Sequence, residues 1–180
     1  PRRQELCIHD LKELTKDSSK EELREAFIKC AAKRNIFFWI YYKNKNSSIV
    51  DTQLRNGNIP DEFKSIMYYT FGDYRDICLN TDISAKTENG DITKAKDKIG
   101  KVFSNGADKS PSGKTREDWW NTYAEAIWDG MLCALEKASG DKETLTGPNS
   151  KYQYKTVTFS GGTNPPTLET FAQRPQFLRW

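Results

Sequence analysis

An all-α fold, a mainly helical bundle with long loops, is predicted by three observations. Apolar residues recur at helical spacing through separate stretches near 19–44, 60–78, 92–103 and 115–138. Helix-starting and helix-stopping residues stand at the ends of those stretches. Strand-like alternation is confined to one short, weak segment, 152–159.

The first helix is announced by Ser19-Lys20-Glu21-Glu22, a capping box in which hydroxyl and carboxylate satisfy orphan backbone donors. Leu23, Ala26, Phe27, Cys30 and Ala31 follow on one face, and the pattern continues through Ile36, Phe37, Ile40 and Tyr41 to fade near Asn44. Its last turns are apolar almost all round, which predicts burial on more than one side. The Asn-, Ser- and Gly-rich stretch 44–58 reads as an exposed loop. Pro60 suits a first helical position, with Asp61 and Glu62 complementing the amino end of the dipole. A second helix is therefore predicted from Pro60 to Cys78, with Phe63, Ile66, Met67, Thr70, Phe71 and Tyr74 as its stripe. Gly72 interrupts it at a cost of about 1 kcal/mol relative to Ala, which predicts close packing there.

A short basic helix is expected over Ile92–Phe103, then a loop through Gly113. Thr115 is read as the cap of a long helix through Ala138, stopped by Gly140. Trp120, Ile127 and Met131 are its predicted core residues. Adjacent Trp119 and Trp120, with Trp128, cover two sides of that helix, so it is expected to be sandwiched in the core; a ligand-stacking platform is the rival reading. Thr167–Ala172 begins a further helix, and another apolar pattern is running when the chain ends at Trp180.

Composition narrows the function. Charged residues make up 29% and hydrophobic residues only 36%, but five Trp, eight Tyr and nine Phe separate the chain from disordered sequences. No stretch approaches the roughly 20 apolar residues of a membrane span, so direct insertion by this segment is not expected. Four cysteines, Cys7, Cys30, Cys78 and Cys133, stand far apart with a single His, which argues against a zinc site. Spacing alone leaves both two disulfides of an exported protein and buried free thiols open.

The net charge of +3 conceals a basic stretch: Lys94, Lys96, Lys98, Lys101, Lys109, Lys114 and Arg116 against Asp97 and Asp108. A local anion-binding face fits better than a general nucleic-acid-binding protein. Lys94, Lys98 and Lys101 share one helix face, while Lys96 points elsewhere. A solvated face is the ordinary alternative.

Catalytic motifs are weak. Gly113-Lys114-Thr115 before a helix invites comparison with a phosphate-binding loop, but Asp108 stands where that motif needs Gly. Cys7 and His9, two residues apart, would point to different faces of a helix. Asp73 and Asp76 read as an ordinary surface carboxylate pair. No enzyme and no cofactor are expected.

Several segments, in order, resemble the Duffy-binding-like domain of malaria-parasite adhesins. Pro1-Arg2-Arg3-Gln4-Glu5-Leu6-Cys7 is similar to the family's opening "PPRRQxLC". Gly72-Asp73-Tyr74-Arg75-Asp76-Ile77-Cys78, then Thr81-Asp82-Ile83, resembles its central "GDxxDIxxGTDI". Trp119-Trp120 with Ile127-Trp128-Asp129-Gly130-Met131-Leu132-Cys133 resembles "WW…IWxAMxC", and Phe171 to Trp180 resembles "FxxRPxFLRW".

The resemblance implies an extracellular adhesion module on the infected red-cell surface, part of a larger membrane-anchored protein. The expected partner is a host cell-surface receptor. The Lys94–Lys101 segment looks closest to the placental, chondroitin-sulfate-binding branch, which makes a sulfated glycosaminoglycan held by Lys94, Lys98 and Lys101 the leading ligand. An endothelial adhesion receptor, immunoglobulin M, or a spacer role without a ligand are the alternatives. The family usually continues into a third, cysteine-rich subdomain. Residues 1–180 are thus expected to hold the first two: a loop-rich part with one long helix over about 1–60, and a bundle part over about 61–180. Export favours disulfides, with Cys78 expected to bond Cys133, and with Cys7 and Cys30 expected to bond each other or a cysteine outside this sequence.

Overall fold

The computed structural model describes residues 6–83, 90–104, 114–140 and 143–179, apart from the side chain of Lys114. Its elements are α1 (His9–Lys12), α2 (Lys20–Lys45), α3 (Ile49–Arg55), α4 (Asp61–Leu79), α5 (Asp91–Ser104), α6 (Lys114–Ser139), α7 (Leu168–Gln173) and a 3-10 helix, Gln176–Leu178. Among the described residues the only extended pairing is an isolated antiparallel bridge between Thr158 and Thr167. The all-α prediction holds.

Two 26-residue helices, α2 and α6, form the spine and pack along each other. At 1.5 Å per residue each spans about 39 Å. The capping box starts α2 as its sequence predicts: Glu22 N–H donates to Ser19 Oγ at 3.1 Å, and Ser19 N–H donates to Glu22 Oε2 at 2.7 Å. Close approach of the two helices depends on Gly130, where a Cβ would meet Ile28 Cγ2 at 2.8 Å. A buried amide pins the same interface, Asn35 Nδ2 donating to the Met131 carbonyl at 2.9 Å. Gly140, at φ +71°, ends α6 as expected.

Helix α4 packs on both members of the spine, α5 on α1, α2 and α4, and α7 on α4. The core they enclose is aromatic. Phe27 of α2 meets Trp119 and Trp120 of α6 at ring centroid distances of 5.5 and 6.1 Å, and Phe71 of α4 meets Trp120 at 5.2 Å. Trp120, Ile127 and Met131 are all buried, as are Trp119 and Trp128. The sandwich reading of the Trp pair stands, and a stacking platform does not. One buried cluster runs through α2, α4, α5 and α6, across the subdomain boundary placed near residue 60.

Three expectations are corrected. The 44–58 stretch is not all loop: it carries α3, held by buried Val50 and Leu54. The last turns of α2 are not buried all round. Trp39 is buried, but Phe37, Ile40 and Tyr41 are 55%, 51% and 55% exposed, because no described element covers their side. Thr115 falls inside the first turn of α6 rather than at its cap.

Candidate functional site

Helix α5 turns Ala95, Ile99, Val102 and Phe103 into the core, leaving its opposite face to solvent. On that face the structure places Lys94 and Lys101 exposed and Lys98 half-exposed. Lys96 is directed elsewhere and is engaged by Asp82, with Nζ 3.1 Å from its carboxylate. At the amino end of α5, Asp91 takes Lys12 at 3.1 Å. The three lysines singled out from spacing are thus together, on a helix whose other side fixes its rotation.

Arg116, counted in the same basic stretch, belongs to the scaffold instead. Its Nη1 donates to the Cys78 carbonyl at 3.1 Å, and its guanidinium lies 5.3 Å from the Phe103 ring centroid. Gly100 gives it room, since a Cβ there would meet Arg116 Nη2 at 3.3 Å. Lys109, Asp108 and Gly113 lie outside the described residues, as does the Lys114 side chain. Two further lysines escaped sequence reasoning. Lys16 and Lys20 border a shallow cavity of about 620 Å³ that reaches Val102 of α5, together with Asp17 and Glu21. No periodicity links residues 16–20 to α5; only the fold brings them together.

The four cysteines stand as free thiols, and the structure does not show the expected Cys78–Cys133 bond. Cys78 is fully buried on α4 whereas Cys133 faces solvent on α6. Cys78 thus lies in the core and Cys133 at the surface, although the helices themselves are in contact. Burial holds the Cys78 thiol well above its ordinary range, with Arg116 and Arg75 pulling the other way. Cys7 and Cys30 are neighbours. Burial pushes Cys30 up to about 12, and the charge of Cys7 adds to that. Tyr74 hydroxyl donates to the Cys7 carbonyl at 2.7 Å beside them.

Asp73 and Asp76 are no surface pair either. Both are buried, and Arg179 closes on them: its guanidinium bonds the Asp76 carboxylate and lies 3.8 Å from Asp73. An acid–base role would need an open carboxylate reachable by substrate, and these are covered by a fixed cation. Among the described residues no cluster of three or more His, Cys, Asp or Glu is arranged to hold a metal ion. No described helix is long and apolar enough to cross a membrane.

What the described surface offers is therefore a basic helix face on a rigid aromatic scaffold. Comparison with curated proteins gives no match. The family model for the Duffy binding domain matches residues 1–179, almost the whole length. The order of motifs, the all-α architecture and this match converge: the chain belongs to the Duffy binding domain family, whose members are surface adhesion modules that bind receptors.

Proposed function

We propose that this domain binds a sulfated glycosaminoglycan of the chondroitin sulfate type through Lys94, Lys98 and Lys101, acting without catalysis at the surface of the infected erythrocyte. The observation that carries this reading is the shared, solvent-facing placement of the three ammonium groups on α5 while Lys96, Lys12 and Arg116 are engaged in the scaffold. Sulfates accept charge-assisted hydrogen bonds from such a cluster. Each exposed contact contributes only about 0–1 kcal/mol, so binding needs several acting together. Lys16 and Lys20 stand beside the same helix, but Asp17 and Glu21 in the same cavity offset their charge, so they are not counted in the site.

The test compares chondroitin sulfate with its desulfated form for the parent domain and for the triple variant Lys94→Ala, Lys98→Ala, Lys101→Ala. Sulfate-dependent retention that the triple variant loses supports the reading. Equal retention of both proteins places the ligand elsewhere.

A second reading has its own observation. Phe37, Ile40 and Tyr41 form an exposed apolar strip on α2, a kind of surface used to anchor protein partners. On this reading the receptor is a host protein such as an endothelial adhesion receptor or immunoglobulin M, and α5 is merely solvated. Loss of binding to such a protein on Phe37→Ser and Tyr41→Ser, with glycan binding unchanged, would favour it.

A further inference from the structure

The amino end of α4 and the turns of residues 151–160 enclose a cavity of about 350 Å³. That is at the lower end of the roughly 300–1,000 Å³ typical of small-molecule sites. Two ammonium groups, Lys64 and Lys151, line it together with the hydroxyls of Thr156, Thr158 and Ser160 and one carboxylate, Asp61. Lys64 is the unusual member, only 9% exposed. A buried ammonium is costly unless it is paired and hydrogen-bonded. Lys64 Nζ donates to Ser160 Oγ at 2.6 Å, and its one carboxylate neighbour among the described residues, Asp61, stands 3.7 Å away.

That counterion is a weak one. Asp61 is 73% exposed, so solvent screens its charge, and it also accepts a hydrogen bond from Ser160. Lys151 Nζ, across the cavity, donates to the side-chain amide oxygen Oδ1 of Asn58 at 2.8 Å, a neutral partner. Burial, with the Lys151 charge adding to it, holds Lys64 below its ordinary pKa despite Asp61. Two cations thus face one screened anion in a walled space with three hydroxyls.

We propose that this cavity binds a single tetrahedral oxyanion, a sulfate or phosphate monoester group, between Lys64, Lys151 and the Ser160 and Thr158 hydroxyls. The oxyanion supplies Lys64 with the close counterion that Asp61 does not. Ser160 then turns its proton from Asp61 to the ligand, and Asp61 opposes binding by charge repulsion. The site shares no residue with the α5 face, so the two proposals stand or fall separately.

The experiment is a titration of the isotope-labelled chain at neutral pH with sodium sulfate and with sodium phosphate, against sodium chloride at matched ionic strength. Backbone amides of Lys64, Thr158 and Ser160 report the site. Saturable shifts with either oxyanion and not with chloride are expected. Lys151→Ala should weaken binding about ten-fold, the loss of one charge-assisted bond. Asp61→Asn should tighten it, and Lys155→Ala, an exposed neighbour outside the lining, should leave it unchanged. A sulfated and a phosphorylated monosaccharide then identify the ester, the tighter binder naming it. Shifts that chloride reproduces, a Lys151→Ala variant that binds as the parent does, or an Asp61→Asn variant that binds no tighter would each overturn the proposal.

Discussion

Arg179 closes the fold through one guanidinium. It leaves the 3-10 helix, passes over α4, bonds Asp76 and donates to the Arg174 carbonyl at 2.8 Å. Gly72 makes that possible: a Cβ there would meet Arg179 Nε at 2.9 Å and Cζ at 3.2 Å. Gly72→Ala gains about 1 kcal/mol in helix propensity but overpacks a held guanidinium, which costs about 1–3 kcal/mol. The expected result is a lower urea midpoint; a raised one would show that the ion pair yields freely. Arg179→Met should cost about 3–5 kcal/mol, because it strands buried Asp76 without its counterion. Close packing at Gly72 was legible in the sequence as a glycine inside a helix. Its partner, more than one hundred residues away, was not, since nothing local marks a terminal Arg as buried. For the thiols, exposed Cys133 should react with a thiol reagent in the folded state, whereas Cys78 should react only on unfolding. Under oxidising conditions Cys7 and Cys30 are the neighbouring pair expected to bond. Peptide mapping that instead recovers a Cys78–Cys133 crosslink would contradict these positions.

At the scale of elements, legibility followed length and one-sidedness. Helices α2 and α4 announce themselves by cap residues and by stripes that turn out to line the core. Helix α5 is short, but its apolar residues fall on one side, so its lysines could be assigned a common face before any contact was known. By contrast α3, seven residues with two buried side chains, carries too little pattern to stand out from an Asn- and Ser-rich stretch. The carboxyl-terminal turns of α2 misled for another reason. Apolar residues all round a helix imply burial only if partners exist on every side, and the sequence does not say how many helices arrive there. Helix α6 gives the sharpest test of the aromatic spine. Trp120→Ala removes a ring that meets both Phe27 and Phe71 and should cost about 3–5 kcal/mol. An unchanged thermal midpoint would mean that the stripe does not support the fold.

Across the whole molecule, buried phenols and thiols set its response to alkali. Burial raises Cys78 above its ordinary value of 9.0 and Tyr68 and Tyr74 above 10.0, and pushes Tyr154 up to about 12. Each of these groups keeps its proton longer in the folded state than in the unfolded one. Their contribution is therefore complete below pH 9 and is lost as pH rises from there through the folded values. Urea midpoints should fall progressively above about pH 9; a midpoint constant to pH 11 would contradict the burial of these groups. The same core buries Ala95, Ile99, Val102 and Phe103 of α5 and so fixes which of its faces meets solvent, the link between the fold and the proposed binding face. The most direct measurement is the affinity of the parent and of the Lys94→Ala, Lys98→Ala, Lys101→Ala variant for chondroitin sulfate over a series of salt concentrations. The parent affinity should fall steeply with salt, and the variant should bind more weakly with a shallower slope, at unchanged thermal stability. Equal affinities and equal slopes for the two proteins would contradict the proposed binding face.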